Sequence, residues 1–179
     1  MRLIISSASI SLVLMSVSSF ASAGTPKTAE AEIVNTKGEK IGSASLIQTK
    51  DGLKVAIQAS HLPPGEHGIH FHETGTCKSP HFKSAGGHFS PTHKQHGLKS
   101  ARGPHSGDLP NLKVNSDGTA MTEMTTKRVT LMPGNNSLLK EGSTSIIIHD
   151  KQDDQMTDPS GGSGDRIACG VIEDTSHSS

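Results

Sequence analysis

A chain of 179 residues that balances 17 Lys and Arg against 17 Asp and Glu has no surplus charge with which to hold a nucleic acid or an anionic membrane surface. Its length suits one domain, and no linker or internal repeat marks a second. With no Trp, no Tyr and 4 Phe, a core has to be built from Ile, Leu, Val and Ala, which bury less area per residue than aromatic rings.

The chain opens on Arg2, a Leu/Ile/Val/Ser stretch and then Ala21-Ser22-Ala23, the pattern of a secretory leader with a small-residue cleavage site. Residues 1–23 are read as a signal peptide and 24–179 as one mature domain starting near Gly24, with 175–179 a disordered tail. The alternative, a retained interfacial anchor, fits the Ser-rich segment and the cleavage motif less well. No cysteine follows the apolar stretch, so a bacterial lipid anchor has no attachment residue, and no membrane contact is expected after cleavage. Export could end in the periplasm, the cell wall or the medium.

Short alternating runs follow, separated by turn signals. They cover Glu32 to Asn35, Ser43 to Gln48, and Leu53 to Gln58 after the Asp51-Gly52 turn. Beyond them lies the long stretch from Gly75 to Leu112, rich in Gly, Pro, Ser and His. Strand patterns resume with Val114 before Ser116-Asp117-Gly118, then Ala120 to Arg128, Ser143 to His149 and Arg166 to Ile172. This spacing predicts an all-β sandwich or barrel.

Histidines carry the functional signal. On an extended strand His70 and His72 share one face while Phe71 points to the other, which makes half a metal site. Alone, the pair is weak evidence and reads more readily as two solvent-facing polar residues on an amphipathic strand. The later histidines sit in distinctive settings: His88 in the turn-rich run from Ala85 to Pro91, His96 before Gly97, His105 three residues before Asp108, and His149 closing Ile146-Ile147-Ile148.

From about Ala31 to Ile172 these motifs resemble the copper/zinc superoxide dismutases. The resemblance rests on His67-Gly68-Ile69-His70-Phe71-His72, Gly86-Gly87-His88-Phe89-Ser90-Pro91, His96-Gly97, His105-Ser106-Gly107-Asp108, His149 and Gly164-Asp165-Arg166-Ile167-Ala168-Cys169-Gly170. It implies an all-β, flattened Greek-key barrel or sandwich of about eight antiparallel strands with long metal-binding and electrostatic loops. It implies one copper per subunit on His70, His72, His88 and His149, and one zinc on His88, His96, His105 and Asp108, with His88 shared. Four nitrogen donors suit Cu(II), and three imidazoles with a carboxylate suit a closed zinc site. His67 would brace the site without binding metal, and Asp153 would link a copper ligand to a zinc ligand.

The activity so implied is dismutation of superoxide to oxygen and hydrogen peroxide by redox cycling of the copper beside a structural zinc. His88 would supply a proton to the peroxide, and Arg166 would receive the anionic substrate. Homodimers are common in the family, although no marker of an interface stands out here. The rival reading is an exported copper/zinc carrier without turnover; the seven matched ligand positions together with Arg166 favour the enzyme.

In an exported chain the only two cysteines, Cys77 and Cys169, pair by default. A thiolate metal pair competes poorly, because histidines already furnish the ligand sets. Arg166 follows a flexible run from Ser160 to Gly164, which would let it fold over the copper mouth; out of context it is a surface arginine beside a cysteine. Asp150, Asp153, Asp154 and Asp158 against Lys151 make either a solvated loop or a weaker attraction for an anion. His81 and His93 read as surface-loop histidines, with copper delivery as their other use. Zinc and the disulfide are expected to order the segment from 75 to 112.

Overall fold

The computed structural model describes residues 26–176; the leader expected over 1–23, the mature start near Gly24 and the end of the expected tail lie outside the described residues. Alternation builds the first wall. In β1 (Thr28–Asn35), β2 (Lys40–Thr49) and β3 (Gly52–Ala59), the residues Ala29, Ala31, Ile33, Ala44, Leu46, Leu53, Val55 and Ile57 face inward and are buried. Glu30, Glu32, Ser43 and Ser45 face solvent between them. Period-2 patterning of this kind buries one face of an antiparallel sheet and wets the other.

Further along come β4 (Gly65–His67), β5 (Ile69–His72), β6 (Leu112–Val114), β7 (Ala120–Thr126), β8 (Ser145–His149), β9 (Arg166–Val171) and the short β10 (Glu173–Asp174). The main sheet runs β5-β8-β9-β1-β2-β3-β7, with β10 on β1, and β4 pairs separately with β6. Only Gly68 separates β4 from β5, and β6 packs beside β7, so the two sheets close into a ring. Neighbours such as β3–β7 and β5–β8 are far apart in sequence, which gives the barrel its Greek-key connectivity. The expected all-β barrel is what the chain forms.

Some strands run longer than the alternation suggests. Pairing with β2 carries β1 back to Thr28, opposite Ile47, through residues with no strong strand pattern. At the other end β7 stops at Thr126 rather than Arg128, because Thr126 and Val129 are both buried and Arg128 turns toward the loops.

The segment from 75 to 112 holds a single 3-10 turn, Lys83–Ala85, yet it has its own apolar anchors. Phe89 and Leu109 enter the main core, while Phe82 and Ala85 cover the outer face of β8 and β9 at Ile147 and Cys169. Each buried phenylalanine contributes about 2–3 kcal/mol of transfer free energy. The loop therefore does not depend on zinc and the disulfide alone. Across the barrel, Val129, Leu131 and Leu138 plug the core from the segment between β7 and β8, and Gln48 Oε1 accepts hydrogen bonds from Leu131 N and Thr130 Oγ1.

Candidate metal centre

The register of β5 on β8 sets the first cluster. Ile69 and Phe71 lie opposite Ile148 and Ile146 in the core, so His70 and His72 are turned to the other face, opposite Ile147 and Ser145. His149 ends β8 on that side, and the loop returns His88 to within an antiparallel bridge of His72. One ligand atom from each of His70, His72, His88 and His149 lies within 4.8 Å of the others.

What the rings do with their other nitrogens is decisive. His72 Nδ1 donates to Gly86 O at 3.0 Å and His149 Nδ1 to Gly164 O at 3.2 Å. His70 Nε2 meets Asp153 Oδ2 at 2.7 Å. These contacts fix the tautomers and leave His72 Nε2, His149 Nε2 and His70 Nδ1 buried without a hydrogen-bond partner. Three orphaned lone pairs aimed into one space would be costly in a metal-free design, and they are the donors a metal takes up. Burial holds His70 at about 3 and His149 at about 4, and pushes His72 well below the usual histidine range, so these rings are neutral near pH 7. The residues present fit a nitrogen-ligated metal.

Asp108 is the hub of the second cluster. Its Oδ1 lies 3.2 Å from His88 Nδ1, 3.0 Å from His96 Nδ1 and 3.4 Å from His105 Nδ1. Its Oδ2 accepts Gly97 N at 2.8 Å and His105 N at 2.9 Å. Although burial opposes its charge, hydrogen bonds from His105, His88 and His96 hold the carboxyl far below the usual range. His70, His88, His96 and Asp108 form one compact grouping by distance. However, His70 Nε2 is committed to Asp153, and His105 Nδ1 lies 3.4 Å from both His88 Nδ1 and Asp108 Oδ1. Three imidazoles and a carboxylate thus converge beside the first cluster, with His88 stacked on His70 at 4.0 Å between the two.

Asp153 joins them from the far side. Oδ2 faces His70, Oδ1 lies 3.0 Å from His96 Nε2, and the side chain is fully buried. For His96, burial alone would lower the pKa, but hydrogen bonds to Asp108 and Asp153 outweigh it and raise the ring to about 9 in the absence of metal. Sequence reasoning missed the residue that holds Asp153. Asn111 clamps its backbone twice, Oδ1 accepting Asp153 N at 3.0 Å and Nδ2 donating to Asp153 O at 2.8 Å. The two lie 42 positions apart, so no local pattern announces the pair.

His67 spans His149 O at 2.7 Å and Pro63 O at 2.8 Å, away from both clusters. Arg166 departs from expectation in how it is held. It is the first residue of β9, and its guanidinium donates to Phe82 O and Gly86 O, each at 2.7 Å. The cysteine-bridged loop, rather than the glycine run before it, therefore sets its position, and its charge lies close enough to depress His72 and His149. Cys77 and Cys169 form the disulfide, with Cα atoms 5.7 Å apart. The acidic run is largely occupied: Asp154 Oδ1 accepts Met156 N and Thr157 N, and Asp158 Oδ1 accepts His96 N at 2.7 Å. His81 and His93 are exposed and stand outside both groupings.

Comparison with known proteins agrees with this geometry. Residues 40–172 match the family model for copper/zinc superoxide dismutase. A superoxide dismutase [Cu-Zn] 1 of Aquifex aeolicus is 50% identical over 145 residues, covering 80% of this chain and 86% of that protein. The superoxide dismutase [Cu-Zn] of Escherichia coli K12 is 36% identical over 179 residues, covering 92% and 98%. Among solved structures, a superoxide dismutase-like protein of Bacillus subtilis superposes with a TM-score of 0.77 at 40% identity, covering 79% of this chain and 96% of that one. The Cu/Zn superoxide dismutase of Brucella abortus gives 0.66 at 28% identity, covering 82% and 99%. With the family model spanning most of the chain and relatives this similar along nearly their whole length, the chain belongs to the copper/zinc superoxide dismutase family.

Proposed function

We propose that this protein dismutates superoxide to oxygen and hydrogen peroxide, with one copper on His70, His72, His88 and His149 and one zinc on His88, His96, His105 and Asp108. The orphaned buried nitrogens of His70, His72 and His149 carry this reading, since they bring three ring lone pairs together as a donor set that a bound ion takes up. Copper held by His70, His72, His88 and His149 would supply the one-electron chemistry that dismutation needs.

The chain's residues supply the rest. Arg166, pinned by two carbonyls, offers a fixed cation that draws in and orients the anion beside His72 and His149. His88 spends Nδ1 on the Asp108 side, so Nε2 is the atom from which a proton can reach the peroxide product. Asp153 orients His70 and His96 together, coupling the geometry of the two clusters. We read residues 1–23 as an export leader and 24–179 as one domain, and a disulfide joining Cys77 to Cys169 suits an oxidising destination outside the cytoplasm.

The test is to load the mature chain with one copper and one zinc and follow superoxide loss directly. Rapid loss supports the enzyme, and none from a folded, fully loaded protein would leave a metal carrier. Arg166→Gln should slow capture by roughly tenfold and flatten its dependence on ionic strength, since the steering charge is gone. An unchanged rate and salt slope would place the guanidinium outside the substrate's path. Gly161→Ala should also be damaging. Gly161 has φ +65°, and an added Cβ would fall inside the Asp153 carboxylate and against His96 Nε2. Displacing Asp153 should weaken copper binding by about 10–100-fold, read by competition with a chelator.

A further inference from the structure

Arg128 lies just past β7, between the buried side chains of Thr126 and Val129, so the backbone on both sides is fixed by the barrel. Its Nη2 donates to the backbone carbonyl of Asp108 at 2.6 Å. Its Nε is buried and finds no partner. A cation kept at a cost in desolvation, with one N–H unpaired, is a poor choice for stability alone. It sits, however, directly behind the one carboxylate that gathers His88, His96 and His105.

Apart from an isolated antiparallel bridge to His70 of β5, the other attachments of Asp108 run through loops. Oδ2 is held by Gly97 and His105, the backbone N–H reaches His105 O, and Leu109 beyond it enters the core. The Arg128 bond is the link from Asp108 to the wall of β7, and charge assistance makes it stronger than a neutral contact. We propose that Arg128 is a positioning residue of the second cluster, gripping Asp108 from behind so that its carboxylate and the three imidazoles stand aligned before zinc arrives. This rests on the assignment of that cluster to zinc.

A planar guanidinium suits the task better than an ammonium. It carries a fixed fork of donors, so the hydrogen bond has a defined direction, whereas lysine offers a point charge on a flexible stem. The proposal therefore distinguishes R128K, which keeps the charge, from R128M, which keeps only the bulk.

The experiment uses the full mature chain with zinc in the second cluster and compares native, R128K and R128M proteins. Zinc release to a chromophoric chelator should be at least ~10-fold faster in R128M, with R128K intermediate. Cobalt(II) substituted for zinc should show a shifted or broadened visible band in R128M, reporting altered ligand geometry. The rise in melting temperature on adding zinc should shrink in R128M. Native release rates and a native cobalt band in R128M would overturn the proposal, as would an equal loss of melting temperature in metal-free and zinc-loaded forms. Should R128M fail to fold, R128K decides: native release and spectrum in R128K overturn the proposal, and faster release supports it. A native chain that takes no zinc would overturn the cluster assignment and this proposal with it. Native zinc retention matched by R128M would overturn the role of Arg128 alone.

Discussion

His149→Ala is expected to remove superoxide dismutation almost completely, by at least about 100-fold, while zinc stays bound. His149 contributes one of the three buried imidazole nitrogens that have no hydrogen-bond partner among the described residues, and it does so from the last residue of β8. Nothing adjacent can replace it: Ile148 points into the core and Ile147 packs under Phe82 and Ala85. Alanine also opens the position to water, which can coordinate copper but cannot reproduce the orientation imposed by the Gly164 carbonyl. The proposed zinc set of His88, His96, His105 and Asp108 shares only His88 with the proposed copper set, so His96, His105 and Asp108 should stay in place. Direct superoxide kinetics, copper affinity by chelator competition and zinc content by elemental analysis check the three parts separately. Retained activity would displace His149 from the copper site, and joint loss of zinc would show the clusters to be one cooperative unit.

How much of this could be read beforehand follows from the range of each interaction. His70 and His72 were legible as a facing pair because strand alternation is a local rule, and the burial of Ile69 and Phe71 opposite them follows from the same rule. The remaining ligands were legible through their short motifs and the family resemblance, not through any pattern that shows His88 or His149 meeting them in space. Asn111 with Asp153 and Arg128 with Asp108 stayed hidden, since each bond depends on where loops land on the barrel. Arg166 shows a different limit. Its neighbouring glycines suggested a mobile strap, but two backbone carbonyls across the disulfide loop hold it. The weight of Phe82 was equally invisible: it adopts a left-handed conformation, φ 50°, at the mouth of the 3-10 turn, and only the fold reveals that this buries its ring against Cys169.

The metal-free, disulfide-reduced protein should melt at least about 20 °C below the loaded, oxidised form, and the two changes should each contribute. The disulfide spans 92 positions, and in the chain-entropy model closing such a loop is worth on the order of 4–5 kcal/mol. For a domain of this size, each kcal/mol moves the melting temperature by about 2–4 °C, so reduction alone should lower it by roughly 8–20 °C. Metal loss acts through another route. It leaves Asp108 and Asp153 as buried carboxylates facing histidines, and it leaves the ring nitrogens of His70, His72 and His149 without their ligand bond. Each ion that binds the folded chain and not the unfolded one adds stability by mass action, roughly 4 kcal/mol at a thousandfold excess over its dissociation constant. The apolar anchors Phe82, Phe89 and Leu109 are expected to keep the loop from 75 to 112 against the barrel when the metals leave, since their burial against the core involves no metal ligand. Removing metal should accordingly lower the melting temperature without unfolding that loop at 25 °C, and amide hydrogen exchange at Phe89 N, which donates to Phe71 O, should stay slow. Fast exchange there in the oxidised, metal-free protein would mean that the ions, and not the buried side chains, hold the loop. Melting temperatures within a few degrees for all four states would mean that the barrel core alone sets the stability.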